Sequence, residues 1–173
     1  NMDVGGLVGT VLGQGHIIYS YSTGEVQGEL GVGGLIGDDR GSWVEESYCT
    51  GKVTGNEGTG GLIGTTGHFG VCFFGGCMKL YVPAAWNSWW DTETTGLQND
   101  MSSCDSCRYF ASGAATAELK TIKTYQNRKF VWRAFHSPAW DFENIWCIRE
   151  NETYPYMLYV HFDPEGASWP AAG

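Results

Sequence analysis

VGGLVG stands at residues 4–9, VGGLIG at 32–37 and TGGLIG at 59–64. Aligned on the glycine pair, Gly5 to Gly33 is 28 residues and Gly33 to Gly60 is 27. A second motif travels with the first: SYSTGEVQG at 20–28 matches SYCTGKVTG at 47–55. The spacing there is 27, so the first copy carries one extra residue before its Ser-Tyr. In the third copy NSWWDTETTG at 87–96 puts Ser88 and Trp89 in the Ser-Tyr place, after an insertion that contains VCFFGGC. A period in this range marks stacked units, none of which can bury its hydrophobic face alone.

Within each unit the runs are short, β-branched and broken by glycine, as in GHIIYSYST and WVEESYCT. Helices of useful length do not fit. A β-solenoid does, with one coil per 27–28 residues and glycine at corners that need positive φ. Stacking then places equivalent residues above one another. Tyr21, Tyr48 and Trp89 form an aromatic ladder, with Thr23, Thr50 and Asp91 in a row on the same side. Ser22, Cys49 and Trp90 point the opposite way by strand alternation. Leu7, Leu35 and Leu62 form an apolar column between Gly5, Gly6, Gly33, Gly34, Gly60 and Gly61. Such a Gly–Leu–Gly face is flat and admits a close backbone. GQGHII at 13–18 is not a phosphate-binding glycine loop, and no long helix follows it.

These residues resemble the GLUG motif, named for its Gly-Leu-any-Gly signature. NSWWDTETTG, TAELKTIKTYQ at 116–126 and WDFENIWCIRENETYPYML at 140–158 are similar to segments that follow such repeats. The resemblance implies a secreted prokaryotic surface protein of the adhesin-like kind. It implies no single enzymatic activity, and no catalytic residue carries over. The cysteines, the 65–86 insertion and NDMSSCDSCRYF at 99–110 depart from the pattern.

The bulk properties agree with an exterior role. The 173 residues include 26 glycines and 25 aromatic rings, and 42% are hydrophobic, which excludes a disordered chain. A net charge of −9 argues against nucleic acid or an anionic membrane as partner. No apolar run is long enough to span a bilayer, and NMDVGG does not open as a signal peptide. An initial Asn instead of Met favours processing or excision. Six cysteines suit an oxidising compartment.

After Gly96 the period stops. Domain boundaries are therefore set at 1–96 for the solenoid repeats and 97–173 for a C-terminal cap or buttress. Residues 116–126 read as one short helix with Thr116 as N-cap and Leu119 and Ile122 buried. The rings from Phe130 to Tyr159 need a surface to cover, and an open solenoid end supplies one. An exposed row of such rings is the alternative, a site for cell-surface glycans.

Candidate chemistry is sparse. Cys49, Cys72, Cys77, Cys104, Cys107 and Cys147 are disulfide candidates, with Cys72 and Cys77 flanking a Gly-Gly turn. A four-thiolate zinc site from CFFGGC and CDSC is a weaker option because its spacing is loose. Asp91 with Glu93, and Asp38 with Asp39, are carboxylate pairs able in principle to hold calcium or serve a glycosidase. A solvated acidic edge is the simpler reading. The four histidines are scattered, and Asn151 opens an N-glycosylation sequon.

The expectation is a mainly β protein: a short β-solenoid of about three coils with an aromatic-rich cap containing one short helix. Its expected role is structural and extracellular, at the cell surface or envelope, with no enzymatic activity, cofactor or metal. The partners expected are other copies of itself through open solenoid edges. The alternatives are a C-terminal piece of a long adhesin or stalk, cut at residue 1, and a carbohydrate-binding or carbohydrate-active module.

Overall fold

The computed structural model describes residues 1–67, 69–73, 76–81, 84–99, 108–126 and 139–158; for 69–84 and 108–110 it describes the backbone only. The chain winds into a β-solenoid. Coil 1 lays down β1 (Met2–Gly5), β2 (Val8–Leu12), β3 (His16–Ile18), β4 (Tyr21–Ser22) and β5 (Val26–Gln27). Coil 2 repeats them as β6 (Leu30–Gly33), β7 (Ile36–Arg40), β8 (Trp43–Glu45), β9 (Tyr48–Cys49) and β10 (Val53–Thr54). Coil 3 has β11 (Glu57–Gly60) and β12 (Ile63–Thr66), then an antiparallel hairpin of β13 (Phe69–Phe73) and β14 (Gly76–Tyr81), then β15 (Ala84–Asp91).

Every coil-to-coil pairing is parallel, and all follow the sequence period except those of β15 with β8 and β9, which the hairpin insertion lengthens. Val8 pairs with Ile36, 28 residues on, and His16 with Trp43, 27 on. The extra residue of coil 1 therefore lies in the corner between β2 and β3. Tyr21 pairs with Tyr48 and Trp89 with Tyr48, so the Ser-Tyr place in the third copy is where the sequence put it. A further strand, β16 (Arg108–Ala114), adds parallel to β15 and carries the stack past residue 96.

Strand alternation separates two cores. Ile17, Leu35, Ile36, Val44, Cys49, Leu62, Ile63, Ala85 and Trp90 fill the coil interior. Val26, Val32 and Val53 close one corner of the cross-section. On the outside, Tyr48 and Trp89 join Ala114, Leu119, Tyr125, Trp140 and Trp146 in a second core under the C-terminal region.

The motif glycines serve close approach, as the flat Gly–Leu–Gly face implied, and the left-handed places fall on other residues. A Cβ on Gly6 would lie 2.1 Å from Ser22 Oγ, on Gly34 2.5 Å from Cys49 Sγ, and on Gly61 2.3 Å from Trp90 Cδ1. The glycine pair and the residue after Ser-Tyr thus meet across the coil, which is why the two motifs travel together. The interior is filled to contact, and one added methyl has no room.

Two corner columns do take the left-handed conformation. Asp3, Gly31 and Gly58 form one, with φ of 54°, 64° and 61°. Tyr19, Glu46 and Asn87 form the other, at 51°, 44° and 50°, with no glycine among them. Each such residue costs about 1–2 kcal/mol. The serine that follows each one offsets this strain. Ser20, Ser47 and Ser88 donate to the carbonyl two residues back, at 2.8, 2.8 and 3.0 Å. Ser47 and Ser88 also accept the amides of Ser20 and Ser47, at 3.1 and 3.3 Å. We expect Ser47→Ala, which strands the Ser20 amide and leaves the Glu45 carbonyl only the Tyr19 amide, to cost roughly 1–3 kcal/mol in chemical denaturation, with the denaturant slope unchanged.

The C-terminal region holds two short helices where one was expected: α1 (Thr116–Leu119) and α2 (Ile122–Gln126). Ala115 is the N-cap, not Thr116. The Thr116 hydroxyl is drawn away to Asp91 Oδ2 at 2.6 Å, and Glu118 accepts the Ala115 amide instead. Leu119 is buried as expected, but Tyr125, not Ile122, is the buried residue of α2. A two-stranded pair, β17 (Trp146–Cys147) and β18 (Tyr156–Met157), completes the described chain. Among the described residues no helix is long and apolar enough to cross a membrane.

Candidate functional site

Among the described residues, four of the five exposed large apolar side chains lie on coil 1. β1, β2 and β3 are edge strands of their sheets. Met2 is 68% exposed, Leu12 65%, Ile18 47% and Leu7 46%. Their coil-2 counterparts are not all apolar, but Leu35, the counterpart of Leu7, is fully buried beneath the next coil. Leu7 therefore shows what the column looks like before a neighbour covers it. Two ring stacks end at this edge. His16 lies on Trp43 at 5.6 Å, and Trp43 on Trp86 at 6.0 Å. Tyr21 lies on Tyr48 at 5.3 Å, nearly parallel at 8°. The His16–Trp43–Trp86 stack was not read from the sequence, because its third member is displaced in register by the hairpin insertion.

The predicted aromatic ladder serves as the joint between coil and cap. Tyr48 is surrounded by Trp140, Trp146 and Tyr154 at 6.1–6.2 Å, and its hydroxyl donates to the Pro155 carbonyl at 2.5 Å. Trp89 meets Tyr125 edge-on at 5.9 Å. Trp140 and Trp146 stack at 4.5 Å. These rings cover one another and present no flat platform of exposed faces. Phe130, Trp132, Phe135 and Tyr159 lie outside the described residues.

Asp91 bolts the same joint. It is fully buried, and its Oδ1 accepts the amides of Glu93 and Thr94 at 2.9 and 3.0 Å. Its Oδ2 accepts the hydroxyls of Thr116 and Tyr154 at 2.6 and 2.5 Å. Burial pushes its pKa up, but these four donors outweigh burial and hold it below the ordinary value. Glu93 accepts the Thr116 amide at 2.9 Å. The Asp91–Glu93 pair thus anchors the start of α1. Asp38 pairs with Arg40, and Asp39 accepts the amides of Gly41 and Ser42 at a corner. Among the described residues no three His, Cys, Asp or Glu side chains converge on a metal position.

Two of the six disulfide candidates are free thiols. Cys49 faces the coil interior, where burial pushes its thiol pKa up, and donates to the Gly61 carbonyl at 2.7 Å. Such a thiol is a small hydrophobe held by packing. Cys147 donates to the Tyr156 hydroxyl at 3.2 Å. Cys72 and Cys77 are cross-strand partners in the hairpin; their side chains, and all of Cys104 and Cys107, lie outside the described residues. Asn151 is exposed on a turn, with φ of 64°. His68, His136 and His161 lie outside the described residues.

Residues 1–27, the whole of coil 1, match the family model of Glug, the GLUG motif. No curated protein and no solved structure matches the chain.

Proposed function

We propose that this chain is a structural protein of the cell exterior, without enzymatic activity, that assembles through the open edge of coil 1. The observation that carries the reading is the coincidence of three features on one edge. The unpaired strands β1, β2 and β3, the exposed Leu7 of a column that is fully buried at Leu35, and the ends of two ring stacks all belong to coil 1. Sheet edges of this kind are templates for further strands. The occupant that continues every one of these columns is another coil of the same repeat, supplied by a second copy. The overall acidity disfavours a phosphate-bearing partner.

The test is a concentration series by light scattering on the wild type and on the double variant Leu12→Lys/Ile18→Lys. The wild type is expected to associate as concentration rises. The variant, with two ammonium groups on the edge, is expected to stay monomeric with its far-ultraviolet spectrum unchanged. A wild type that is monomeric throughout would overturn self-assembly. It would favour a long adhesin or stalk, in which coils of the same chain cover this edge.

A further inference from the structure

One carboxylate in the coil has no structural task. Glu46 occupies the left-handed corner of coil 2 at φ 44° and is only 3% exposed, yet its Oε2 has no hydrogen-bond partner among the described residues. It lines an open cleft of about 460 Å³ between the coil corner and the segment 139–145. Tyr19 and the side chains of Trp140 and Phe142 supply the aromatic walls, and Asp141 and Glu143 add two more carboxylates. Trp140 and Phe142 lie nearly parallel, at 21°. No described lysine or arginine lines the cleft, and no ion pair engages its carboxylates among the described residues.

A buried carboxylate without a partner is costly and persists where something compensates it. Here the missing partner is a cation, and the walls suit one that carries an apolar stem. Aromatic faces attract ammonium and guanidinium groups, more strongly when desolvated. A neutral sugar would use the rings but leave the charge of Glu46 unanswered. We infer that the cleft at Glu46 binds an organic cation, an alkylammonium or guanidinium group of the kind that ends a lysine or arginine side chain. Glu46 is the ion-pairing group, Asp141 and Glu143 supply the surrounding field, and the half-exposed rings of Tyr19 and Phe142 flank the stem. This inference is independent of the assembling edge on coil 1.

Titration of Glu46 supports the geometry. Burial, with Glu45 and Asp141 nearby, raises its pKa to about 7. The groups facing it are Glu45 on β8, Tyr19 on the neighbouring coil, and Asp141 and Glu143 on the covering segment. A bound cation favours the ionised form, so affinity is expected to rise with pH through 7 and level off above it.

The experiment uses the full chain and three probes: n-butylammonium, n-butylguanidinium and the uncharged n-butanol. Binding is followed by calorimetry and by the NMR signal of the Trp140 indole N–H, which donates to the Asn87 carbonyl at 2.8 Å. We expect both cations to bind at least tenfold more tightly than butanol. Glu46→Gln is expected to lose at least tenfold in cation affinity together with the pH dependence. The variant should fold, because above pH 7 it sheds a buried charge; Glu143→Gln, at an exposed position, is expected to lose only a few-fold. Equal binding of butanol, an unchanged Glu46→Gln, no shift of the indole signal, or stronger binding of methyl glucoside would each overturn the proposal.

Discussion

Gly33→Ala is expected to lower stability by about 4 kcal/mol or more, or to abolish folding. Its Cβ would stand 1.9 Å from the Ile36 carbonyl oxygen and 2.5 Å from the Gly64 amide nitrogen. Both atoms are backbone, one in coil 2 and one in coil 3, and both belong to a parallel ladder. A side chain in a crowded core can change rotamer; a ladder can yield only by separating coils. Overpacking of mobile side chains costs about 1–3 kcal/mol, and a backbone clash exceeds that. In a chain of this size each kcal/mol shifts the melting temperature by roughly 2–4 °C, so a drop on the order of 10 °C is expected by calorimetry. Gly24→Ala is the matched control. Nothing lies within 4 Å of its added Cβ, and its melting temperature is expected to stay level or rise slightly. Equal effects of the two substitutions would refute the close-approach account.

Asp91→Ala is expected to cost about 3–5 kcal/mol and to loosen the cap from the coils. It removes the acceptor of two amides and two hydroxyls in a fully buried place. Breaking such a set while leaving its donors buried is among the larger single-residue losses. The sign of the pH effect follows from the lowered carboxyl pKa. The stabilisation is complete above the ordinary value of 3.8 and is lost as pH falls through the lower folded value. The wild type is therefore expected to lose this part of its stability only in strong acid. Asp91→Ala should lack it at every pH. Limited trypsin digestion gives a local readout: faster cleavage after Lys120 and Lys123 in the variant, with the coils intact. Unchanged protection at these lysines would show that Asp91 does not hold the joint.

The coil was legible because its period is written in residues that tolerate no substitute. The Gly-Gly pair and the Ser-Tyr motif recur together since the residue after Ser-Tyr faces the second glycine inside the coil, and their spacing gives the register directly. The glycines have two tasks that the letter alone does not separate. The same letter serves a positive φ at Gly31 and Gly58 and a close contact at Gly34 and Gly61. The second left-handed column escaped notice because Tyr19, Glu46 and Asn87 share no letter, only a place. The split helix and the role of Asp91 were hidden by distance, since Thr116 finds its partner 25 residues back. The cleft at Glu46 depends on how segment 139–145 lies against a coil corner, which no local pattern encodes.

The serine series from Ser88 through Ser47 to Ser20 has a meaning beyond holding corners. Each hydroxyl takes the amide of the coil before it and gives its proton to its own strand. At Ser20, the member of the series on coil 1, the proton is given to the Ile18 carbonyl. An arriving edge is then read one residue at a time: an amide at the right height is accepted, and a slip of one residue turns every side chain to the wrong face. In the assembly proposed above, this row of hydroxyls would pass the alignment of the coil on to the copy that joins it.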